Sequence, residues 1–325
     1  MRAATIRERA PLVGLLRNNA PWISLAILIL LFSILSPVFF NVTNFLSILN
    51  AASIGGLVAI GLAFVLLAGG FDLSVAAIML VGGMTFGVLF MNLHLPIGAA
   101  MLFSLMVTTA LGLVNGLLVT KVKLPAFIAT FATMFVFTGL CISLGKGMSI
   151  YGIRDPFFTF MGQGKLGIIP APAVIFIVAA IVAYLVLSRA TFGRAVYAVG
   201  GSDKAAYMSG INVDRTRLMT YMISGFLSGV AGLVYTARLE VSVVVPATVS
   251  GYSATLLDAL TAVMIGGISI FGGEGRIYGL IGGILLIFVL TNGMSILGMS
   301  GTYHMLAKGL LILLAVGMDI YFRSR

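Results

Sequence analysis

Two carboxylates and two amides stand in stretches too apolar to welcome them. Asp72 lies in Gly69-Gly70-Phe71-Asp72-Leu73-Ser74, between two apolar runs, and Asp258 lies inside the run TLLDALTAVMIGG. An ionisable group in hydrocarbon is costly unless it faces protein or water, so each is a candidate for lining a solute or ion path. Asp72 has a plainer reading too: with Ser74 it caps the next helix and stabilises its positive end. Asp258 has three readings: contact with a substrate, pairing with a cation such as Lys308, or a solvated place near the outer headgroups. Asn115 and Asn292 can hold sugar hydroxyls or join one helix to another. Phe127, Phe131, Phe135 and Phe137, shortly after Pro125, can stack on a sugar ring or simply pack.

Other patterns exclude chemistry. Residues 266–276, GGISIFGGEGR, look superficially like a phosphate loop, but no Gly-Lys-Ser/Thr follows and no strand precedes. Gly139 to Gly145-Lys146-Gly147 misses the nucleotide pattern in spacing and in its last residue. The chain is therefore not expected to bind or hydrolyse ATP, and it carries no Ser/His/Asp set or acid–base pair in its polar loops. A single cysteine, Cys141, allows neither an intramolecular disulfide nor a Cys-based metal site. His94 and His304 are far apart and read as span-end residues rather than ligands. No catalytic residue, metal or cofactor is expected.

Composition says what must hold these groups. Of 325 residues, 60% are hydrophobic and 9% charged, and mean hydropathy is +1.17. A soluble domain carries about a quarter charged residues, so hydrocarbon must act as solvent for most of this chain. Forty glycines suit close helix packing in a membrane. The net charge of +10 does not point to nucleic acid, because the basic residues gather at span ends and no basic patch interleaves with aromatics.

The elements follow in order. Residues 1–21 hold Arg2, Arg7, Arg9 and Arg17 against Glu8, and an apolar run begins at Trp22. No small-x-small cleavage site follows, so this reads as an uncleaved first span with its amino terminus inside the cell. Residues 41–53 lack basic residues and suit the outer face. Further spans are expected at about Ile54–Leu67, Val75–Met91, Ile97–Thr120, Pro125–Leu144 and Ala173–Leu187, then at about Leu218–Ala237, Tyr252–Ile270, Ile277–Leu297 and Tyr303–Tyr321. Residues 145–170 form a Gly/Pro/aromatic loop outside. Alternation puts the amino terminus, Lys121/Lys123, residues 189–217, Glu274/Arg276 and the carboxyl terminus on one side, where most basic residues collect. The expected fold is an all-α polytopic membrane protein, one transmembrane domain over 1–325 with about ten spans and both termini cytoplasmic. Gly69-Gly70 resembles Gly266-Gly267 and Gly272-Gly273, which raises the reading of two inverted five-span halves.

The longest clearly polar stretch is Arg189–Arg217, RATFGRAVYAVGGSDKAAYMSGINVDRTR. A large cytoplasmic loop in a chain with short loops elsewhere reads as a docking place for a soluble motor.

Here the sequence resembles a known family. Gly193-Arg194-Ala195-Val196-Tyr197-Ala198-Val199-Gly200-Gly201, then Ala205-Ala206, then Ser209-Gly210-Ile211-Asn212-Val213, is similar to the coupling loop of ribose-type ABC importer permeases. The match continues in Leu35-Ser36-Pro37-Val38-Phe39-Phe40, Gly70-Phe71-Asp72-Leu73-Ser74-Val75, Pro125-Ala126-Phe127-Ile128-Ala129-Thr130, Leu257-Asp258-Ala259, Arg276, Asn292-Gly293 and Leu313-Leu314-Ala315-Val316. It covers nearly the whole chain in order. Departures are Ala76, Ser202 and Leu256, where the family usually has Gly, Asn and Glu.

The resemblance implies a permease subunit of the bacterial inner membrane, paired as a homo- or heterodimer. A cytoplasmic ATP-binding-cassette subunit would grip the central loop through Gly193, Arg194, Tyr197, Gly200, Gly201, Ala205, Ala206, Ser209, Gly210 and Ile211. Ala205 and Ala206 would give a short helix a low profile, and a bulky residue at Gly201 is expected to stop uptake. A periplasmic sugar-binding protein would dock outside and carry most of the selectivity. A monosaccharide or sugar-like solute would cross by alternating access past Asp72, Asn115, Phe127, Asp258 and Asn292. The alternatives are an ion-coupled secondary transporter using Asp72 and Asp258, and a membrane scaffold without transport, which leaves the buried carboxylates unexplained.

Overall fold

The computed structural model describes residues 4–244 and 250–323. Helix α1 (Ala4–Leu35) ends at Ser36-Pro37, and α2 (Val42–Leu67), α3 (Val75–Gly87), α4 (Ile97–Thr120) and α5 (Ala126–Leu144) follow. A π-helical turn, Val88–Asn92, extends α3. A two-residue strand β1 (Ile150–Tyr151), a short α6 (Pro156–Gln163) and the hairpin of β2 (Lys165–Leu166) and β3 (Ile169–Pro170) lead to α7 (Ala171–Arg189). Then come α8 (Thr191–Gly201), α9 (Asp203–Met208), α10 (Val213–Leu239) and β4 (Val241–Ser242). The chain closes with α11 (Ser250–Ile265), α12 (Ile277–Ile296) and α13 (Gly301–Arg323).

Among the described residues, seven helices are long and apolar enough to cross a membrane: α2, α3 with its π turn, α4, α5, α7, α10 and α12. Shorter apolar segments at Asn19–Leu35, Ala254–Ile265 and Gly301–Leu314 lie in α1, α11 and α13. An all-helical, multi-pass membrane architecture results.

Two expected boundaries move. Residues 42–53 are helical and open α2, so the expected span from Ile54 begins earlier. Asn41 caps α2 by accepting from the Thr43 amide at 2.9 Å. Ser47 and Ser53 donate back to the carbonyls of Thr43 and Leu49, which hides their polarity inside the helix. The expected span to Ile270 stops at Ile265, because Gly267 turns the chain with a φ of +78° that side chains resist. The loop at 145–170 is more ordered than its composition suggests: Asp155 caps α6, with Pro156 in the first turn.

α2 is apolar on every side and buried nearly throughout its second half, as a helix without a polar face must be. α3 is buried beside it. α10 packs against α4, α2 and α3 through small residues, among them Ser224, Gly225, Ser228, Gly229 and Gly232. A Cβ on Gly225 would overlap the Thr108 carbonyl, and one on Gly232 the Met79 carbonyl. Lipid tails are as apolar as leucine, so helices associate here by close van der Waals contact rather than by expelling water.

The connections sort to two ends. At one end, Lys121 pairs with Asp214 at 3.2 Å, the Gly273 amide donates to the Leu67 carbonyl, and Tyr197 donates to the Gly275 carbonyl. At the other, β1 pairs antiparallel with β4, Arg154 meets Glu240 at 3.2 Å, and Gln163 donates to the Arg238 carbonyl. This is the grouping that alternation of spans requires. The matching glycine pairs 69–70 and 272–273 lie against each other at one end. Inverted repeats would place equivalent motifs at opposite ends, so this likeness lends the inverted-halves reading no support.

Candidate functional site: the α2–α3 break and the central loop

Helix α2 ends because Gly69, at φ +72°, lets the chain turn. Residues 69–74 then cross to α3 without regular structure, fully inside the protein at Asp72 and Ser74. Asp72 accepts from the Ser74 amide at 2.9 Å, from the Ser74 hydroxyl at 2.7 Å and from the Ser224 hydroxyl at 3.2 Å. Asn115 donates to Ser74 Oγ at 2.7 Å, and Thr133 donates to Asn115 Oδ1 at 2.7 Å. The Phe71 carbonyl accepts from the Tyr221 hydroxyl at 3.0 Å and from Thr130 at 3.3 Å. One network thus ties the break to α4, α5 and α10. Buried polar groups left unpaired cost far more than paired ones, so the network fixes the broken backbone as one unit.

The capping reading of Asp72 and Ser74 is not realised: Ser74 stands at the N-cap of α3 without a side-chain cap hydrogen bond, its hydroxyl donating to Asp72, which also accepts from the Ser74 amide just ahead of the helix. Asn115 does join helices, and it does so through Ser74. Phe127 reaches the same region, tilted against Phe71 at a centroid distance of 5.9 Å. Its outer side stacks on Phe131, which meets Phe135 edge-on, in a ladder along the exposed face of α5. Phe137 is buried in the core instead.

Asp258 and Asn292 do not join this cluster. Asp258 forms an ion pair with Lys308 of α13, both side chains being mostly buried. Of its three readings, the pairing is realised. Asn292 is half-buried on α12, with no partner for its Oδ1 among the described residues.

The central loop is built from local signals. Gly193 lets α8 fold back on the end of α7, since a Cβ there would strike the carbonyls of Val186 and Leu187. Ser202 caps α9 by accepting from the Ala205 amide at 3.3 Å, the same service an asparagine gives. Gly210, at φ +79°, turns the chain after α9, with the Ile211 amide donating to the Ala206 carbonyl and Ser209 donating to Ala205. Asn212 then caps α10. Tyr197 is half-buried, and burial pushes its phenol above its ordinary range against the opposing charge of Arg276. Arg194 and Gly201 are exposed.

Two features of this loop come from the structure alone. The residue pressed against the body of the protein is Gly200, whose Cβ would overlap the Leu67 carbonyl and crowd the Gly273 amide; a Cβ on Gly201 meets nothing within 4 Å. Ala206 is turned inward, and the knob of α9 is made by Tyr207 and Met208, which are 75% and 78% exposed. Sequence reading passed over both, as it passed over Ser74, Tyr221 and Ser224 as network members. Tyr221 and Ser224 were visible only as small or polar interruptions of an apolar helix.

The comparisons with known proteins agree with this frame. Residues 44–316 match the family described as "Branched-chain amino acid transport system / permease component". The chain belongs to this permease family and is of its ribose type. It is 39% identical over 316 residues to the ribose import permease protein RbsC of Bacillus subtilis (strain 168), covering 97% of this chain and 96% of that one. Identity to the D-allose transport system permease protein AlsC of Escherichia coli (strain K12) is 36%, over 91% of this chain and 89% of the other. For the L-arabinose transport system permease protein AraH of the same organism it is 33%, over 82% and 79%. No solved structure matches. The permease is thus a multi-pass protein of the inner membrane and a transport component rather than an enzyme.

Proposed function

We propose that this permease is the membrane-spanning subunit of an ATP-driven importer for a monosaccharide or sugar-like solute. A separate ATP-binding-cassette subunit seats on α8 and α9 at the cytoplasmic end. A second permease copy or paralogue completes the path, and a periplasmic sugar-binding protein delivers the solute at the opposite end. α1, α11 and α13 complete about ten spans, with both termini in the cytoplasm.

The observation that carries this reading is the build of the central loop. Its backbone is wedged into the body at Gly200, while its tip exposes Tyr207 and Met208 outside any span. An exposed apolar knob on a polar loop suits an apolar groove in a soluble partner. Relatives named for ribose, allose and arabinose support a sugar as cargo. Closure of the ATPase dimer would draw two such loops together and switch access from one face to the other.

An ion-coupled mechanism would need Asp72 and Asp258 free to exchange ions. Asp258 is engaged by Lys308 and Asp72 by three donors, which argues against it. The test is sugar uptake into proteoliposomes. Uptake is expected with the ATPase subunit, binding protein and ATP together, and not with the permease alone. Gradient-driven uptake by the permease alone overturns the proposal.

A further inference from the structure

Three residues on one face of α10 read the α2–α3 break in order. Arg217 Nε donates to the Ala68 carbonyl at 3.2 Å. Tyr221, one turn further, donates to the Phe71 carbonyl. Ser224, in the next turn, donates to Asp72. Spacing of four and then three residues keeps all three on one stripe of the helix. Arg217 is the rung nearest the central loop, and it alone of the three reaches into that loop: its Nη2 contacts Asp203 Oδ1, in the first turn of α9, at 2.6 Å.

We propose that Arg217 is a positioning residue for transport, transmitting displacement of α9 to the Gly69–Ser74 break and so to the buried Asp72 network. This inference rests on the proposed function, in which an ATPase subunit moves α8 and α9.

A guanidinium suits the task. Its planar fork fixes two acceptors in a set relation, one a backbone carbonyl and one a carboxylate, and it stays charged at any working pH. The link is bordered by open space. Arg217 and Asp203 line a cleft of about 420 Å³ that also reaches Gly69, Gly70, Lys123 and Asp214, so the start of α9 has room to shift. Beside this link, the backbones of Gly69, Gly200 and Gly272 approach closely, and the Gly273 amide bonds Leu67. That junction gives the end of α8 a second hold on the same break. Movement of the loop therefore does not need to travel through the long helices α7 and α10 to reach Asp72.

The test uses the full complex of permease and ATPase subunit, reconstituted with the binding protein. Arg217→Ala is expected to assemble with the ATPase and hydrolyse ATP within about twofold of the parent, while sugar taken up per ATP falls at least about tenfold. A cysteine at Phe71, in a Cys141→Ala background, reports the break: its thiol-labelling rate is expected to change with ATP in the parent and not in Arg217→Ala. If Arg217→Ala does not insert, Arg217→Gln, which keeps a shorter apolar stem and one amide donor group without the charge or the fork, is read by the same two measures. Uptake per ATP unchanged within about twofold overturns the inference, as does an ATP response at position 71 that persists in the variant. Loss of ATPase binding in the variant also overturns it, since Arg217 would then serve docking. A parent that binds no ATPase subunit overturns the proposed function itself, and this inference with it.

Discussion

The Tyr221 hydroxyl serves Phe71 twice, donating to its carbonyl at 3.0 Å and lying 3.4 Å from its amide as acceptor. Two residues 150 positions apart are thereby joined backbone to side chain, and an irregular segment obtains the pairing that a helix would have supplied internally. Irregular backbone deep in a membrane protein survives only on such terms.

Tyr221→Phe keeps the ring and removes both contacts. Thr130 still donates to the Phe71 carbonyl, so that oxygen is not left bare, but the Phe71 amide loses its Tyr221 acceptor, and the cost is expected at about 1–3 kcal/mol. A lowered Tm in detergent with the protein still inserted is the expected result. An unchanged Tm would mean the Tyr221 contacts contribute nothing net.

The long helices and the polar central loop were legible in the sequence because hydropathy and charge are local signals. Asp72 stood out because a carboxylate between apolar runs is rare. Its partners did not. Ser224 and Tyr221 lie on α10, and nothing local says which helix faces which. Gly200 and Gly201 were named together for the same reason: the pair is symmetric as text, and only the approach of Leu67 and Gly273 to Gly200 distinguishes them. Lys308 was considered for Asp258 because both are charges inside apolar runs, which must find each other or water.

Gly200→Ala is expected to be damaging and Gly201→Ala mild. The added methyl at 200 meets the Leu67 carbonyl and the Gly273 amide, both backbone. Backbone cannot step aside as a side chain can, so about 1–3 kcal/mol or more is lost. At 201 the methyl points into open space. Melting curves of the two variants, side by side, check the ranking; equal losses would refute the junction as drawn.

Breaking the Asp258–Lys308 pair leaves one charge without its partner in a mostly buried site. Asp258→Asn and Lys308→Met are each expected to cost about 3–5 kcal/mol, and the double variant less than the sum. A double-mutant cycle on thermal stability measures the coupling, and strict additivity would show that the pair does not interact.

Burial raises the Tyr197 phenol above its ordinary value near 10.0. The folded protein therefore holds this proton more firmly than the unfolded chain. The associated stability is fully present below the unfolded value and is lost as pH climbs through the folded one. Between about pH 9 and 12, Tm of the parent is expected to fall more steeply than Tm of Tyr197→Phe, which has no proton to lose at this site. Parallel curves would remove Tyr197 from the account of alkaline sensitivity.

Tyr207 separates docking from folding. Its side chain is exposed on α9, so removing it takes little from the permease alone: Tyr207→Ala should shift Tm by no more than about 0.5 kcal/mol would. If the α9 tip fills a groove on the ATPase subunit, the same change should weaken the complex by about 2 kcal/mol, or roughly thirtyfold in affinity, as loss of an aromatic anchor does. Titrating purified ATPase subunit onto permease in nanodiscs gives both affinities on one scale. An affinity unmoved by Tyr207→Ala would place the contact elsewhere on the loop, and Met208→Ala in the same assay would show whether the neighbouring side chain carries it instead.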